Sequence, residues 1–167
     1  KKVELNSTNS IVSDQYVDDV FKNYYGTTLN LNEFQNKINT IKKRYESEGY
    51  SLARIKGPDR INENGIVKLN VTEGIVSDVQ LRFLGTDGES SIDGEPRKGK
   101  TKDWVIKREL KTQPGSIFNR KILEADIRRL YATSLFDDVK VSLGPDSSNP
   151  GRVIIFLDLS EQRTGSL

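Results

Sequence analysis

The stretch "VKLNVTEGIVSDV", residues 67–79, contains the end of one alternating apolar run and the beginning of another. The first run has apolar residues at every second position, which are Val67, Leu69 and Val71. Glu73-Gly74 ends it, and a second run begins at Val76. Such alternation is typical of half-buried strands. Near the C-terminus "VIIFLDLSEQ", residues 153–162, alternates in the same way up to Glu161. Because this arrangement occurs twice, we predict an internal repeat.

The composition is that of one ordinary domain or two small ones. The 167 residues contain 26 Lys and Arg against 24 Asp and Glu, which gives a net charge of +2, and they contain no Cys, His or Met. The lack of Cys excludes disulfides and thiolate metal sites. No apolar run approaches the roughly 20 residues that a membrane-spanning helix needs. Without an initiator Met, the sequence is expected to be a processed form or a fragment, so the lack of a signal peptide carries no information.

The first half of the chain predicts the order strand, helix, helix, strand, strand. A short strand is predicted at residues 2–5, and Ser13 is a suitable N-cap for the first helix. The two helices have apolar residues at helical spacing, which are Val17, Val20, Phe21, Tyr24, Phe34, Ile38, Ile41 and Tyr45. "YSLARI", residues 50–55, and "IVKLNVTEG", residues 66–74, are predicted strands with Gly, Pro and Asn turn residues between them.

The second half repeats this order with one insertion. Its strands are predicted at residues 79–83, 139–143 and 153–161. A stretch rich in Gly, Ser and charge, residues 85–100, predicts a long surface loop. Thr101 is the expected cap of a helix that contains Trp104, Ile106 and Leu110, and Asn119 is the expected cap of the next helix.

The two halves align at a nearly constant offset. Phe34 and Ile38 match Leu123 and Ile127 at an offset of 89, and Glu73 matches Glu161 at 88. We therefore predict an α+β fold of two tandem β-α-α-β-β modules, residues 1–74 and 75–162. Each module is expected to be a three-stranded mixed sheet covered on one face by two antiparallel helices. The last two strands should be antiparallel neighbours, and the first should pair in parallel after the helical crossover.

This order of elements resembles that of polypeptide-transport-associated (POTRA) domains. The resemblance includes "YESEGY" at residues 45–50, "VTEG" at 71–74 and "NRKILEADIRRLYATSLFDDVKV" at 119–141. Two features depart from the family pattern, because Ser134 stands where Gly is usual and the loop at residues 85–100 is longer than in a minimal domain. Together the motifs cover nearly the whole chain.

The resemblance implies a position next to a membrane barrel. POTRA domains precede the barrel of BamA-type outer-membrane assembly proteins and of their chloroplast relatives. The final "EQRTGSL", residues 161–167, resembles the junction to a first barrel strand, especially in cyanobacterial-type members. The second module would then be barrel-proximal and the first membrane-distal, with residues 163–167 starting the junction. The implied location is the periplasmic side of an outer membrane, or the equivalent compartment of a chloroplast envelope.

The resemblance also implies partners and a role. The domains would bind unfolded outer-membrane protein precursors by β-augmentation and pass them to the transmembrane β-barrel of the same chain. Neighbouring POTRA domains or accessory proteins are further implied partners. Two alternatives stay open, namely the POTRA region of a polypeptide-translocation or secretion barrel and a purely structural docking platform for partner proteins.

The candidate peptide-binding residues follow from the family, in which the second strand of the module is usually the open edge. In this sequence they are Ala53, Arg54, Ile55, Val139, Lys140 and Val141. Arg54 and Lys140 are expected on the exposed face, where they could equally protect the edges against aggregation. The interdomain joint is assigned to Glu73, Gly74, Ile75 and Val76. This joint is too short for a free linker, so we expect restricted hinging between the modules.

Enzymatic and metal-binding functions are not predicted. Without His and Cys, the common nucleophile–base pairs and zinc sites are excluded. The adjacent carboxylates Asp18-Asp19 and Asp137-Asp138 do not share a face in a helix or a strand. "GTDGES", residues 85–90, lacks the spacing of a calcium loop. We predict no cofactor and no metal.

Nucleic-acid binding is not predicted either. The closing strands carry Val, Ile and Leu rather than a row of stacking aromatics. The basic run 42–44 is followed by Glu46 and Glu48, which indicates a solvated helix face. Trp104, the only Trp, is assigned to core or interdomain packing.

Overall fold

A computed structural model describes residues 2–163 except residues 8, 10, 29, 59, 60 and 62. The chain divides into two compact units, Lys1–Gly74 and Ile75–Leu167. Residues 164–167, most of the predicted junction segment, lie outside the described residues. No helix in the described part of the chain has both the length and the apolar character needed to cross a bilayer.

The first unit is a three-stranded sheet with two helices. Its elements are β1 Lys2–Asn6, α1 Asp14–Phe21, α2 Leu31–Ser47, β2 Arg54–Lys56 and β3 Ile66–Thr72. The strand order is β1-β3-β2, with β1 parallel and β2 antiparallel to β3. Alternate β3 residues are buried in one apolar cluster with the helices. The rings of Phe21, Tyr24 and Phe34 meet within it, with centroids 5.5–6.2 Å apart.

The second unit repeats this topology. Its elements are β4 Ile75–Phe83, β5 Ser91–Ile92, β6 Glu95–Pro96, α3 Asp103–Lys107, α4 Arg120–Ala132, β7 Phe136–Pro145 and β8 Arg152–Glu161. The order is β4-β8-β7, again with one parallel and one antiparallel neighbour on the central strand. Ile155, Leu157 and Leu159 of β8 are fully buried. The predicted α+β fold and strand pairing are confirmed.

Two of the three predicted helix caps are confirmed. Ser13 caps α1 by accepting from the Tyr16 N–H, and Asn119 caps α4 by accepting from the N–H groups of Lys121 and Ile122. The prediction for Thr101 is wrong, because Lys102 precedes α3 and makes no side-chain capping bond.

Three further predictions need correction. The strand expected at residues 50–55 is only β2, because residues 51 and 52 lie in a turn and the Ala53 N–H donates to Tyr50. The loop at residues 85–100 contains a small antiparallel hairpin, β5-β6. Trp104 is 63% exposed, so the assignment to core packing is wrong; α3 buries Ile106, and a residue two positions earlier lies on the opposite side of the helix.

Ser134 takes the backbone conformation that the family pattern assigns to Gly. Its φ is +59°, and Gly49, at the same place after α2, has φ +101°. Both residues end a helix with a reversal that places the chain in the left-handed region. A side chain makes this region unfavourable for most residues, whereas Gly adopts it freely.

Replacing Ser134 with Gly should therefore stabilise the second unit by about 0.5–1 kcal/mol, since part of the gain is lost to the greater freedom of unfolded Gly. Urea unfolding followed by the methyl NMR signals of Leu130 and Leu157, both fully buried, measures this. Ser134→Ala is the matched control and should not stabilise. If the wild type and the Gly variant have equal unfolding free energies, the backbone of Ser134 is not strained.

Tyr45 is a fully buried tyrosine in the first unit. Burial raises its pKa from 10.0 to about 12, and the negative charge of Glu73 adds to the shift. The folded state thus keeps the proton at a pH where the unfolded chain loses it. The resulting stability is complete below pH 10 and is lost as the pH rises towards 12.

The unfolding free energy of the first unit should fall between pH 10 and 12, and Tyr45→Phe should reduce the slope. A single group contributes at most about 1.4 kcal/mol per pH unit. Urea titrations followed by the methyl signals of Ile41 and Leu69 resolve this unit from the other. Equal slopes for the wild type and the Phe variant would contradict the contribution of Tyr45.

Candidate functional site

Each three-stranded sheet has two edge strands, and these are the candidate binding sites. The edges are β1 and β2 in the first unit and β4 and β7 in the second. An edge strand has a row of N–H and C=O groups that its own sheet does not use. Whether an edge can accept another strand depends on its length and on what already covers these groups.

The β1 edge is capped by a tyrosine. The Val3 N–H donates to the Tyr25 hydroxyl at 3.2 Å, and this hydroxyl donates to Asp18 at 3.0 Å. Burial raises the pKa of Tyr25; the Val3 bond opposes this rise and Asp18 adds to it. The hydroxyl therefore stays protonated at neutral pH and occupies a backbone donor that an incoming strand would need.

The beginning of the β4 edge is covered by the connection between α3 and α4. The Val76 N–H donates to Ser116 at 2.8 Å, and the Gly115 N–H donates to Val76 at 2.7 Å. An isolated antiparallel bridge joins Ile75 to Ile117. The predicted joint residues Ile75 and Val76 thus begin β4 and are themselves already paired on its outer edge, within their own unit.

The β2 edge is short. Its three residues pair with β3, as Arg54 with Thr72, Ile55 with Val71 and Lys56 with Asn70. Arg54 is exposed and Ile55 is partly buried. Ala53 is 2% exposed and precedes the strand. The first-unit candidates therefore offer a binding edge of at most three residues.

The β7 edge is long, because the strand pairs with β8 from Phe136 to Pro145. The Val139 N–H points away from β8 and donates to the Tyr131 hydroxyl of α4 at 3.0 Å. Tyr131 in turn donates to Asp138 at 3.0 Å. The beginning of this edge thus has a tyrosine cap of the same kind as the one on β1.

Beyond Val139 the β7 edge is open. In an antiparallel ladder every second residue directs its N–H and C=O to the same side. Since the Val139 N–H faces outwards, the backbone groups of Val141 and Leu143 do so too. Their side chains lie on the face of Leu157 and Ile155, their partners in β8. Leu143 is 43% exposed, which leaves an apolar side chain beside the open backbone.

Lys140 lies between these positions, on the opposite face of the sheet. It is exposed, and its ammonium group lies 3.8 Å from the Asp138 carboxylate. An exposed pair of this kind contributes little to stability. The structure therefore brings Val139, Lys140 and Val141 to one edge.

Sequence reasoning missed Tyr131 and Leu143. Tyr131 lies off the apolar stripe of α4 and Leu143 at the end of a predicted strand. An aromatic residue off the stripe, shortly before a strand, is the signal that could have indicated the cap.

Glu73, a predicted joint residue, has a structural role within the first unit. It is 3% exposed, and it accepts hydrogen bonds from Ser7 and Asn9 in the segment after β1. Gly74 has φ +88°, and an added Cβ would lie 2.8 Å from the Leu52 Cβ. Gly is therefore required at this position by both conformation and space.

Glu161, the repeat counterpart of Glu73, makes an equivalent set of contacts. Its carboxylate accepts from the N–H groups of Lys100 and Thr101 at 2.8 and 2.9 Å, and from the Thr101 hydroxyl. In each unit, then, a carboxylate at the C-terminal end of the central strand fixes the segment between the first strand and the first helix.

No cluster of acidic side chains suited to a metal ion occurs among the residues that the structure describes. In the "GTDGES" segment, Asp87 instead accepts from the Glu89 N–H at 2.9 Å and pairs with Arg97 at 3.1 Å. These contacts lower the pKa of Asp87, with the Glu89 bond as the largest cause. They fold the loop rather than form a cation site.

Two family models match the chain. Residues 1–74 match the model described as "POTRA domain, ShlB-type", and residues 88–162 match the POTRA model described as "Surface antigen variable number repeat". Each match falls within one of the two compact units.

Solved structures of cyanobacterial proteins show the same fold. POTRA1-3 of the periplasmic domain of Omp85 from Anabaena is 35% identical with a TM-score of 0.87, and covers 98% of this chain and 65% of that one. The N-terminal domain of Omp85 from Thermosynechococcus elongatus is 39% identical with a TM-score of 0.81, and covers 98% and 66%.

A curated relative extends the similarity to plastids. Outer envelope protein 80, chloroplastic, from rice is 25% identical over 156 residues, which is 93% of this chain and 22% of that protein. The chain thus spans about a fifth of the length of this relative.

The two units define a tandem array of mixed three-stranded sheets, each with a helical layer and open edges. The chain belongs to the POTRA domain family and carries two POTRA domains in tandem.

Glu161→Gln should loosen the segment that precedes α3, because the hydrogen bonds from the N–H groups of Lys100 and Thr101 to the Glu161 carboxylate become weaker. The amide protection factors of Lys100 and Thr101 should fall by about tenfold, as expected for the loss of about 1.5 kcal/mol. NMR hydrogen exchange measures this residue by residue. Asp137→Asn makes the same charge change at an exposed site and should leave both amides unchanged; a similar effect of both variants would contradict the contact.

Proposed function

We propose that the second POTRA domain binds an extended polypeptide by β-augmentation along the outer edge of β7. The observation that carries this proposal is the unequal state of the four edges. Among the described residues, contacts within the unit cover Val3 of β1 and the first two residues of β4, and β2 has three residues. The ten-residue β7 is covered at Val139 alone and has outward backbone groups at Val141 and Leu143 beside an exposed apolar side chain.

Main-chain hydrogen bonds would provide most of the affinity. An incoming strand can pair with the outward N–H and C=O groups of Val141 and Leu143 whatever its own side chains are. The partly exposed Leu143 side chain favours apolar residues at alternate positions of the ligand. A transmembrane β-strand has such alternation, so unfolded outer-membrane protein precursors are the ligand class that this edge suits best.

Tyr131 would limit how far the added strand extends. Its hydroxyl occupies the Val139 N–H, so pairing at this residue requires that the bond with Tyr131 breaks. Lys140 would remain on the other face, where its charge discourages edge-to-edge pairing between copies of the chain. The β7 edge is therefore protected at one end and available at the other.

The first domain would contribute less. Its β2 edge, with Arg54 and Ile55, offers at most three residues for pairing, and Ala53 is buried before the strand begins. We propose that it adds a short second contact and that the joint at residues 73–76 permits only restricted hinging.

The relatives support a wider role. We propose that the domains lie on the periplasmic side of an outer membrane, or in the equivalent compartment of a plastid envelope, and precede a barrel in the same chain. They would pass precursors to this barrel for insertion, as a binding module without enzymatic activity. Neighbouring POTRA domains or accessory proteins would be further partners, and nucleic acid would not.

A peptide of about ten residues with alternating apolar positions, the length of a membrane strand, tests the proposal. Titration into the labelled chain should shift the amide signals of residues 138–143 more than those of residues 53–56. Val141→Pro removes an outward N–H without removing a bond to β8, so it should abolish the shifts while the fold is retained. Val141→Thr keeps the N–H and should bind like the wild type.

Tyr131→Phe provides the opposite test. Removal of the hydroxyl frees the Val139 N–H, and one additional hydrogen bond should raise the peptide affinity about two- to tenfold. If the shifts appear on the helices instead, or if Val141→Pro binds normally, edge capture is wrong and a docking platform is the better explanation.

A further inference from the structure

The charges of the second domain are strongly segregated, although the whole chain has a net charge of only +2. Residues 97–129 contain eleven Lys and Arg against four Asp and Glu. The rest of this domain, residues 75–96 and 130–167, contains four Lys and Arg against ten Asp and Glu. The first domain shows no such segregation. The second domain therefore contains a basic region that includes α3 and α4, although the net charge of the whole chain is small.

Most cations of this region lie at the surface. Nine of the eleven are exposed, and two of these, Arg120 and Arg128, lie on α4 with Arg120 paired to Glu124. The other seven lie in α3, at the start of α4 and in the segments before and after α3; we call them the basic helix face, and they are Lys98, Lys100, Lys102, Lys107, Arg108, Lys111 and Lys121. Within the described part of the chain, Arg108 is the one of these seven with an ion pair, at 3.7 Å from Glu109. Unneutralised cations at this density favour a negatively charged partner.

The turn after α3 is held against α4 by hydrogen bonds. Arg129 donates to the Glu109 carbonyl at 2.8 Å, and the Lys111 N–H donates to the fully buried Asp126 at 2.9 Å. Asp126 also accepts from the N–H and hydroxyl of Thr112. The cations that flank this turn thus have a fixed backbone, and only their long side chains move.

An exposed tryptophan lies within the basic helix face. Trp104 is 63% exposed, and the Arg108 guanidinium lies 5.2 Å from its ring centroid. Lys107 and Arg108 follow at the spacings that place residues on the same side of a helical turn. Burying an indole is favourable, so a large exposed one next to cations indicates a surface that is covered in another state.

We propose that the basic helix face binds the surface of a membrane that contains anionic lipids, with Trp104 entering the headgroup region. Clusters of four to eight Lys and Arg next to a bilayer are typical of binding to anionic headgroups. Trp is enriched at the membrane–water interface, where its apolar ring and N–H find suitable surroundings. This function is separate from strand capture, because β7 and the basic helix face are different surfaces.

A nucleic acid is a less suitable partner for this surface. Binding of single strands uses several aromatic residues on which successive bases stack. Here one Trp stands among cations that are mostly Lys, which neutralise headgroups as flexible point charges.

Trp104 is the only Trp of the chain, so its fluorescence reports directly on this face. Vesicles of phosphatidylglycerol and phosphatidylcholine in equal parts should shift the emission to the blue. Vesicles of phosphatidylcholine alone should not. About 1 M salt, at which the Debye length is about 3 Å, should reverse the shift.

The double variant Lys107→Glu, Lys111→Glu should lower the partition coefficient by at least about 25-fold, since each lost cation accounts for about fivefold. The matched control is Lys42→Glu, Lys43→Glu on α2, which makes the same charge change at exposed sites of the first domain. It should bind nearly as well as the wild type. Val141→Pro, which blocks strand capture, should bind vesicles normally.

Three results would overturn the proposal. The first is no blue shift with the anionic vesicles. The second is an equal loss of vesicle binding in both double variants, which would mean that binding depends on the net charge of the chain and not on the basic helix face. The third is a shift with a single-stranded oligonucleotide at lower concentrations than with lipid, which would assign the face to nucleic acid. Circular dichroism confirms that each variant is folded.

Discussion

The central strand of each domain, β3 or β8, is hydrogen-bonded on both sides, and this arrangement leaves two edge strands in every three-stranded sheet. Unpaired backbone groups are costly when buried and prone to aggregation when exposed. Each domain protects part of its edges with a tyrosine hydroxyl, a connecting segment or a very short strand. Beyond Val139, β7 keeps outward backbone groups beside an exposed apolar side chain, so the candidate binding site lies where the fold leaves a long antiparallel edge unprotected.

The repeat and the order of elements could be predicted because each strand or helix has its own periodicity of apolar residues. Val67, Leu69 and Val71 alternate, and Phe34, Ile38 and Ile41 follow helical spacing, so local pattern and burial agree. The caps at Ser13 and Asn119 were predictable for the same reason, since a cap depends on its immediate neighbours. Thr101 failed because a distant carboxylate, Glu161, binds its hydroxyl and N–H.

The candidate site was predictable only in outline. The resemblance indicated the second strand of each module, but the state of each edge depends on contacts between residues far apart in the chain. Tyr25 reaches Val3 over 22 residues, and the segment 115–117 covers β4 from about 40 residues away. Exposure of Trp104 was missed because it was grouped with Ile106 on one helix, although residues two positions apart in a helix lie on opposite sides and only Ile106 is buried. The basic helix face was missed because the net charge of the whole chain adds its basic region to the acidic remainder of the same domain, and the two nearly cancel.

The insertion at residues 85–100 is closed at its base. The Leu84 N–H donates to Leu159, and Lys100 and Thr101 donate to Glu161, so both ends of the insertion are fixed to β8 and to the residue that ends it. Arg97 folds over Gly85, where any side chain would overlap its guanidinium. Once the ends of a loop are fixed, each doubling of its length costs only about 0.6 kcal/mol. The tip between β5 and β6 is therefore a place where this lineage can gain or lose residues, and so acquire new surfaces, without endangering the fold.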